Sequence, residues 1–153
     1  MERTLVILKP CTIQRGLIGE IIARFEKKGL ILEGMKMTWL TDEILSEHYA
    51  HLKERSFFQR VKDAMAVCPV IVCCWKGVDA VNVVRTLAGS TNGRNAAPVT
   101  IRGDYSMSVQ ENIVHASDSP ETAAIELKRF FNEDELFSYE TKNLLSLYAN
   151  DEF

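Results

Sequence analysis

The sequence predicts an α/β fold of the α+β kind, in which helices cover a single four-stranded sheet. Four short apolar runs have the length of strands, and stretches with helical periodicity separate them. The 153 residues, 46% of them apolar and 25% charged, are enough for one self-sufficient core. We therefore expect residues 1–153 to form one domain.

The first half of the chain alternates between the two periodicities. Arg3 to Leu8 is an apolar run that breaks at Lys9-Pro10, as a buried strand does. Gly29 follows a helical pattern and supplies a C-terminal stop. In chain order we expect strands over 3–8 and 30–40, and helices over 16–28, 41–52 and 57–66.

The second half contains two further strands and a long loop. Ser119 is suited to cap a helix, Pro120 to its first position and Glu121 to its first turn. We expect strands over 70–75 and 113–116, helices over 79–88 and 120–131, and an ordered functional loop over 89–110. The tail, residues 132–153, is apolar enough that we expect it to pack on its own domain or on a neighbouring subunit.

Strands that alternate with helices in this order favour a split βαβ sandwich of the ferredoxin-like kind, with a four-stranded antiparallel sheet. The net charge of −3 argues against a nucleic-acid binder that relies on broad basic attraction. No apolar run approaches the ~20 residues of a membrane span. The four cysteines form no CxxC pair, so we expect reduced thiols in a cytoplasmic protein.

His115 is the first candidate for chemistry, because it lies where a strand ends and a helix is about to begin. Glu126 follows it on that helix and borders the apolar stripe. A partly buried carboxylate that reaches an imidazole fixes its tautomer and raises its basicity. On this pattern alone, a structural histidine whose hydrogen bonds are satisfied at the end of a strand remains the simpler interpretation.

The chain also offers cations and aromatic side chains without a P-loop motif. Lys9, Arg85 and Arg102 could bind an anion, although a solvated surface charge is the simpler interpretation of each arginine taken singly. Phe57 could stack on a base. His48 and a second histidine three residues later could clamp a metal, but without a third ligand nearby we expect a surface or partner-packing role.

Taken together, these residues resemble the nucleoside diphosphate kinase family, almost collinearly from Arg3 to Tyr148. The combination is far more specific than any one motif. The matching segments are Arg3-Thr4, Ile7-Leu8-Lys9-Pro10, Gln14-Arg15-Gly16-Leu17-Ile18-Gly19-Glu20-Ile21, His48-Tyr49, Phe57-Phe58, Gly89-Ser90-Thr91-Asn92, Thr100-Ile101-Arg102-Gly103-Asp104 and Asn112-Ile113-Val114-His115-Ala116-Ser117-Asp118-Ser119.

The resemblance implies a ping-pong transfer of the γ-phosphate from a nucleoside triphosphate to a nucleoside diphosphate, through a phosphohistidine and with broad base tolerance. His115 would be the nucleophile, held by Glu126, with Tyr49 and Ser117 close to the ring. The implied nucleotide-binding residues are Lys9 and Asn112 for the sugar, Phe57, Val61 and Val109 around the base, and Arg85, Thr91 and Arg102 for the phosphates.

The resemblance further implies Mg²⁺ as the cofactor, with Asp118 reached through water. It implies a cytoplasmic homo-oligomer, a hexamer with a tetramer as the alternative, and neither a membrane nor a specific nucleic acid as a partner. Departures from the family pattern are Cys11-Thr12 after Lys-Pro, Ala116 where glycine is usual, Ser56 for proline, Val61 for leucine, and Gly93 where proline often stands.

Two other functions remain open at this point. A catalytically silent, nucleotide-binding or scaffolding member of the family would account for Ala116 and Gly93. A regulatory ferredoxin-like module with another small ligand would fit the architecture, but it would leave the histidine and arginine set unexplained.

Overall fold

Four antiparallel strands form the sheet in a computed structural model that describes residues 1–142 and 144–153. The strands are β1 (Glu2–Leu8), β2 (Ile31–Thr38), β3 (Val70–Gly77) and β4 (Val114–Ala116). Their order across the sheet is β2-β3-β1-β4, and each neighbouring pair is antiparallel. The expected ferredoxin-like sandwich is therefore confirmed, although β2 and β4 are shorter than the sequence indicated.

The helices are α1 (Pro10–Gln14), α2 (Ile18–Lys28), α3 (Asp42–His48), α4 (Phe58–Ala66), α5 (Ala80–Ala88), α6 (Ile101–Tyr105), α7 (Pro120–Phe130) and α8 (Leu144–Leu147), with short 3₁₀ turns at Ala50–Leu52, Gly93–Asn95 and Glu133–Glu135. The expected helix over 41–52 ends at His48 and continues only as a 3₁₀ turn. The long loop contains α6, which one turn of periodicity is too short to predict.

The two faces of the sheet carry separate halves of the core. Val6 and Leu8 of β1 pack with Phe25 of α2 and with Trp75 on one face. Leu5 and Ile7 point the other way, into a cluster that includes residues of α3, α4 and α7. This alternation with period two places α3 and α7 on the same side of the sheet.

The same alternation along β4 places its histidine on the opposite face of the sheet from its two neighbours. Val114 and Ala116 are buried in the core on the α2 side. His115, between them, pairs with Ile7 of β1 and contacts Glu126 of α7 on the opposite side. The sheet thus holds the imidazole under α3 and α7.

The tail has some apolar contacts with the rest of the chain. Leu136 packs against the core on the α7 side, and the Val78 N–H donates to the Tyr148 hydroxyl at 3.4 Å. Leu145 and Phe137 remain exposed, at 73% and 64% of their surface. Among the described residues, no helix has the length and apolar character that crossing a membrane requires.

Two glycines give a matched test of packing in this fold. A Cβ on Gly103 of α6 would lie 1.9 Å from the Ala97 carbonyl oxygen, whereas a Cβ on Gly19 of α2 would meet no atom within 4 Å. We expect Gly103→Ala to lower the free energy of unfolding by about 1–3 kcal/mol. Gly19→Ala should instead raise it by roughly 0.5 kcal/mol, because alanine favours the helix. Denaturant unfolding of both variants measures this, and equal effects would contradict the packing described.

Candidate active site

The backbone just before His115 adopts a strained turn. Ile113 is fully buried and has a φ of 74°, and the Val114 N–H donates to the Asn112 carbonyl at 2.9 Å. This is a γ-turn of the rare positive-φ kind, and a β-branched residue there is a true outlier. Such strain costs on the order of 1–3 kcal/mol and persists only where the surroundings fix it.

Several donors fix the strained turn. The Lys9 N–H and the Thr12 hydroxyl both donate to the Ile113 carbonyl, at 3.0 Å and 2.5 Å. Arg102 donates from Nε to the Asn112 carbonyl at 3.1 Å and from Nη2 to the Val114 carbonyl at 2.7 Å. Donors on both sides therefore hold the turn, and its geometry sets the position of the His115 backbone.

The guanidinium of Arg102 joins the turn to the end of α5. Its Nη1 donates to the Gly89 carbonyl at 2.8 Å. Burial and, next, the charge of Arg85 lower the pKa of Arg102 to about 10, so the group remains charged at neutral pH. Three of its five N–H groups contact the backbone, which leaves two that can face a ligand.

Glu126 is the centre of the site. Its carboxylate lies 2.9 Å and 3.0 Å from Nε2 of His115, and it accepts a hydrogen bond of 2.5 Å from the buried Ser117 hydroxyl. Burial disfavours the ionised carboxyl, but the hydrogen bonds from His115 and Ser117 and the nearby charges lower the pKa of Glu126 overall. An ionised acceptor at Nε2 leaves the proton on that nitrogen and the lone pair on Nδ1.

His48 corrects one expectation from the sequence. It is buried, with 6% of its surface exposed, so of the expected surface or partner-packing role the surface role is wrong for His48, whereas His51 is exposed. Its ring lies edge-on to that of His115, with centroids 4.5 Å apart. The last residue of α3, His48, also packs edge-on against Phe130 of α7. Tyr49, next to it, is also buried, and burial together with the charge of Glu126 raises the pKa of its phenol.

Two further residues of the site were not recognised from the sequence. Thr12 appeared only as a departure from the family pattern, yet its hydroxyl contacts the strained peptide. Arg129 follows Glu126 by one helical turn and contacts His48. No sequence motif indicates it, although a spacing of three on one helix face could have suggested it.

A cavity of about 800 Å³ opens beside His115. The structure brings twelve of the thirteen predicted site residues together on its wall; Ser117 lies behind it and acts on Glu126. The residues on the wall are Lys9, Tyr49, Phe57, Val61, Arg85, Thr91, Arg102, Val109, Asn112, His115, Asp118 and Glu126.

The wall of the cavity carries both charged and apolar side chains. Lys9, Arg85 and Arg102 are among its cations, and burial, followed by the charge of Arg102, lowers the pKa of Lys9 to about 8. Asn112 donates to the Thr91 carbonyl at 3.0 Å, while its own Oδ1 is buried without a hydrogen-bond partner among the described residues. An unpaired buried acceptor is costly, and a ligand hydroxyl would satisfy it.

Two departures from the family pattern have local explanations. Gly93 is buried, and its N–H donates to the Ser108 carbonyl at 3.1 Å. A Cβ there would lie 2.3 Å from the Ser106 carbonyl oxygen, so this backbone does not accommodate proline. The methyl group of Ala116 packs with the core on the α2 side of the sheet.

Comparison with known proteins agrees with this geometry. The family model described as nucleoside diphosphate kinase matches residues 2–136. A nucleoside diphosphate kinase from Parabacteroides distasonis is 86% identical over 153 residues, which is all of both chains. The chain belongs to the nucleoside diphosphate kinase family. The expected family and the expected enzyme class, a phosphotransferase, are confirmed.

More distant nucleoside diphosphate kinases also match, one by sequence and one by structure. A nucleoside diphosphate kinase from Pyrococcus abyssi is 50% identical over 141 residues, which cover 90% of this chain and 89% of that protein. The structure of a halophilic nucleoside diphosphate kinase from Halobacterium salinarum in complex with CDP matches with a TM-score of 0.94 at 39% identity. That match covers 96% of this chain and 98% of the other.

Proposed function

We propose that this enzyme transfers the γ-phosphate of a nucleoside triphosphate to a nucleoside diphosphate through a phosphohistidine at Nδ1 of His115. The observation that carries the proposal is the contact of Nε2 with the Glu126 carboxylate, beside a cavity lined with cations. The nucleotide in the halophilic relative, CDP, is of the kind this cavity would take.

The first half-reaction needs little proton movement. Nδ1 attacks the γ-phosphorus, a P–N bond forms, the P–O bond to the β-phosphate breaks, and the nucleoside diphosphate leaves. The proton on Nε2 stays there, and Glu126 stabilises the positive charge that the ring acquires. An oxygen of the β-phosphate of a second nucleoside diphosphate then attacks the phosphorus, a P–O bond forms, the P–N bond breaks, and a nucleoside triphosphate and the free imidazole result.

The cations of the cavity stabilise the charge on the transferring group. Phosphoryl transfer passes through a loose transition state, so positioning and electrostatics supply most of the catalysis. Arg85 and Arg102 face the same cavity, and their mutual repulsion is relieved when an anion lies between them. We assign them and Thr91 to the phosphates.

The remaining residues hold the nucleoside. Asn112 and Lys9 would bind the sugar hydroxyls, and the unpaired Oδ1 of Asn112 would accept one of them. Phe57, Val61 and Val109 form an apolar wall that could contact any base without reading its edge. Broad base tolerance follows from that wall.

We also propose Mg²⁺ as the cofactor. Asp118 is exposed on the wall of the cavity, and a carboxylate oxygen suits this hard cation, which keeps several waters. When bound, the ion would neutralise charge on the nucleotide phosphates. Asp118 would hold it through a water.

The assembly we propose is a homo-hexamer, with a tetramer as the alternative, in the cytoplasm. Strand β2 lies at an edge of the sheet; Met35 and Met37 on it are 51% and 57% exposed, and Trp39, directly after its end, is 59% exposed. An exposed apolar edge strand of this kind is normally covered by another chain. We further propose that residues 1–153 form one domain, since one sheet carries both core clusters.

Incubation with γ-labelled ATP and Mg²⁺ tests the proposed intermediate. Label should appear on the protein, be lost in acid, survive base and pass to added GDP. His115→Ala should abolish labelling, whereas His51→Ala, the same change at an exposed histidine, should not. A wild-type protein that takes no label, or a His115→Ala variant that takes as much, would contradict the proposal.

The lowered pKa of Lys9 predicts how the activity changes at alkaline pH. Because Lys9 loses its proton near pH 8 in the folded protein, kcat/KM should fall as pH rises through that value. Folding then releases a proton between about pH 8 and the usual lysine pKa, so this group makes stability rise with pH in that window. Lys9→Arg, which stays charged, should lack the alkaline fall in kcat/KM; a fall that persists there would assign it to another group.

The mass in solution tests the assembly. Light scattering at two protein concentrations should give six chain masses at both, and Met37→Glu should lower the mass because it places a charge on the β2 edge. Lys27→Glu, an exposed charge reversal on α2, is the matched control and should leave the hexamer intact. A wild-type monomer at both concentrations would contradict the proposal, and four chain masses would indicate the tetramer.

A further inference from the structure

Arg129 connects the two helices that enclose His115. It lies on α7, and its Nε donates to Glu47 of α3 at 2.8 Å. Its Nη1 lies 3.3 Å from Nδ1 of His48, the last residue of α3. The Arg129 side chain is 13% exposed and His48 is buried, so solvent screens the contact between them weakly, whereas Glu47 is 64% exposed and its ion pair is screened.

The contact with Arg129 determines the tautomer of His48. A guanidinium has only donors, so Nδ1 of His48 must accept and the proton must lie on Nε2. Nδ1 also lies 3.6 Å from Oε1 of Glu126. Two acceptors at that distance form no hydrogen bond, and the Glu126 carboxylate stays with His115 and Ser117.

Burial and all the surrounding charges except that of Glu126 also favour a neutral His48 ring. From α7 it meets Glu126, Arg129 and Phe130, from β4 it meets His115, and from its own segment Tyr49 and His51. Burial, followed by the charges of His115, Arg129 and His51 and against that of Glu126, lowers the pKa of His48 to about 3. His48 is therefore an uncharged neighbour of the reacting imidazole.

We propose that Arg129 is a positioning residue: it holds His48 in the Nε2–H form, which keeps the Glu126 carboxylate for His115. This inference rests on the proposed function and adds a residue to it. Without the guanidinium, His48 could place its proton on Nδ1 and donate to Glu126. The carboxylate would then be shared between two imidazoles, and Nε2 of His115 would be held less firmly.

The same guanidinium explains why these side chains do not suit a cation. Ligand atoms of His48, His115 and Glu126 lie within 4.8 Å of one another, a spacing that could hold a metal ion. Arg129 directs a fixed positive charge at His48 from 3.3 Å, which repels such an ion. The charge of Arg129 thus disfavours a metal ion between His48, His115 and Glu126.

Nitrogen NMR of the imidazoles tests the proposal directly, because the chain has only three histidines to assign. Wild-type His48 should show the Nε2–H form and should not titrate between about pH 5 and 8. In Arg129→Met it should acquire an Nδ1–H population and begin to titrate. A wild-type His48 in the Nδ1–H form, or an unchanged spectrum in Arg129→Met, would overturn the inference.

Kinetics separate positioning from a merely structural role. In Arg129→Met we expect kcat to fall by about tenfold and KM to change by less than about twofold. The fall in kcat on the acid side should move to higher pH, because His48 then takes up a proton there and donates to Glu126. Arg129→Lys, which keeps a charged donor, should recover most of kcat. A large rise in KM with unchanged kcat would instead make Arg129 a nucleotide contact.

Glu47→Gln is the matched control. It weakens the ion pair that joins α3 to α7 but keeps the guanidinium, so the tautomer of His48 and the pH profile should stay as in the wild type. If Glu47→Gln reproduced the effects of Arg129→Met, the role of Arg129 would be to hold α3 against α7, and the inference would fail. Failure of the proposed function is distinguishable, because His115 in the wild type would then take no label.

Discussion

The hydrogen bond between Nε2 of His115 and the Glu126 carboxylate is the interaction on which the rest of the site depends. It leaves the lone pair on Nδ1. It would also stabilise the positive charge that the ring acquires when Nδ1 is phosphorylated. A buried carboxylate is costly unless it is fully paired, and Ser117 supplies the second donor. The α7 face that carries Glu126 is held in turn by its packing against the sheet.

A second constraint, the positive φ of Ile113, supports the first. The turn allows the chain to enter β4 with His115 pointing toward α7 while its neighbours remain in the opposite core. Lys9, Thr12 and Arg102 all donate to carbonyls of this turn. Lys9, through its main-chain N–H, and Arg102, through its side chain, are thus both proposed nucleotide contacts and supports of the strained backbone, so we expect ligand binding to stabilise this turn.

Much of the fold could be predicted from the sequence, because long periodic segments such as α2 and the strongly apolar β3 determine their own structure. The cap at Ser119 likewise identified the start of α7. Shorter elements could not be predicted. The α6 helix spans one turn, and its position depends on the Thr100 cap and on backbone contacts made within the loop.

The candidate site shows the same division. His115 and Glu126 could be paired from their spacing, and the resemblance brought the other predicted residues on the cavity wall into one set. His48 could not be assigned correctly, because its burial depends on contacts with His115 of β4 and Phe130 of α7, which are distant in the sequence. Arg129 was missed because its role depends on a contact between helices, which no local pattern records.

The phosphorus spectrum of the nitrogen-15-labelled protein, recorded after incubation with ATP and Mg²⁺, tests the central claim most directly. It reports which nitrogen is bonded to phosphorus. If Glu126 fixes the tautomer as described, the phosphorus will couple to Nδ1 of His115. Coupling to Nε2 of His115, or to a nitrogen of His48, would contradict the account.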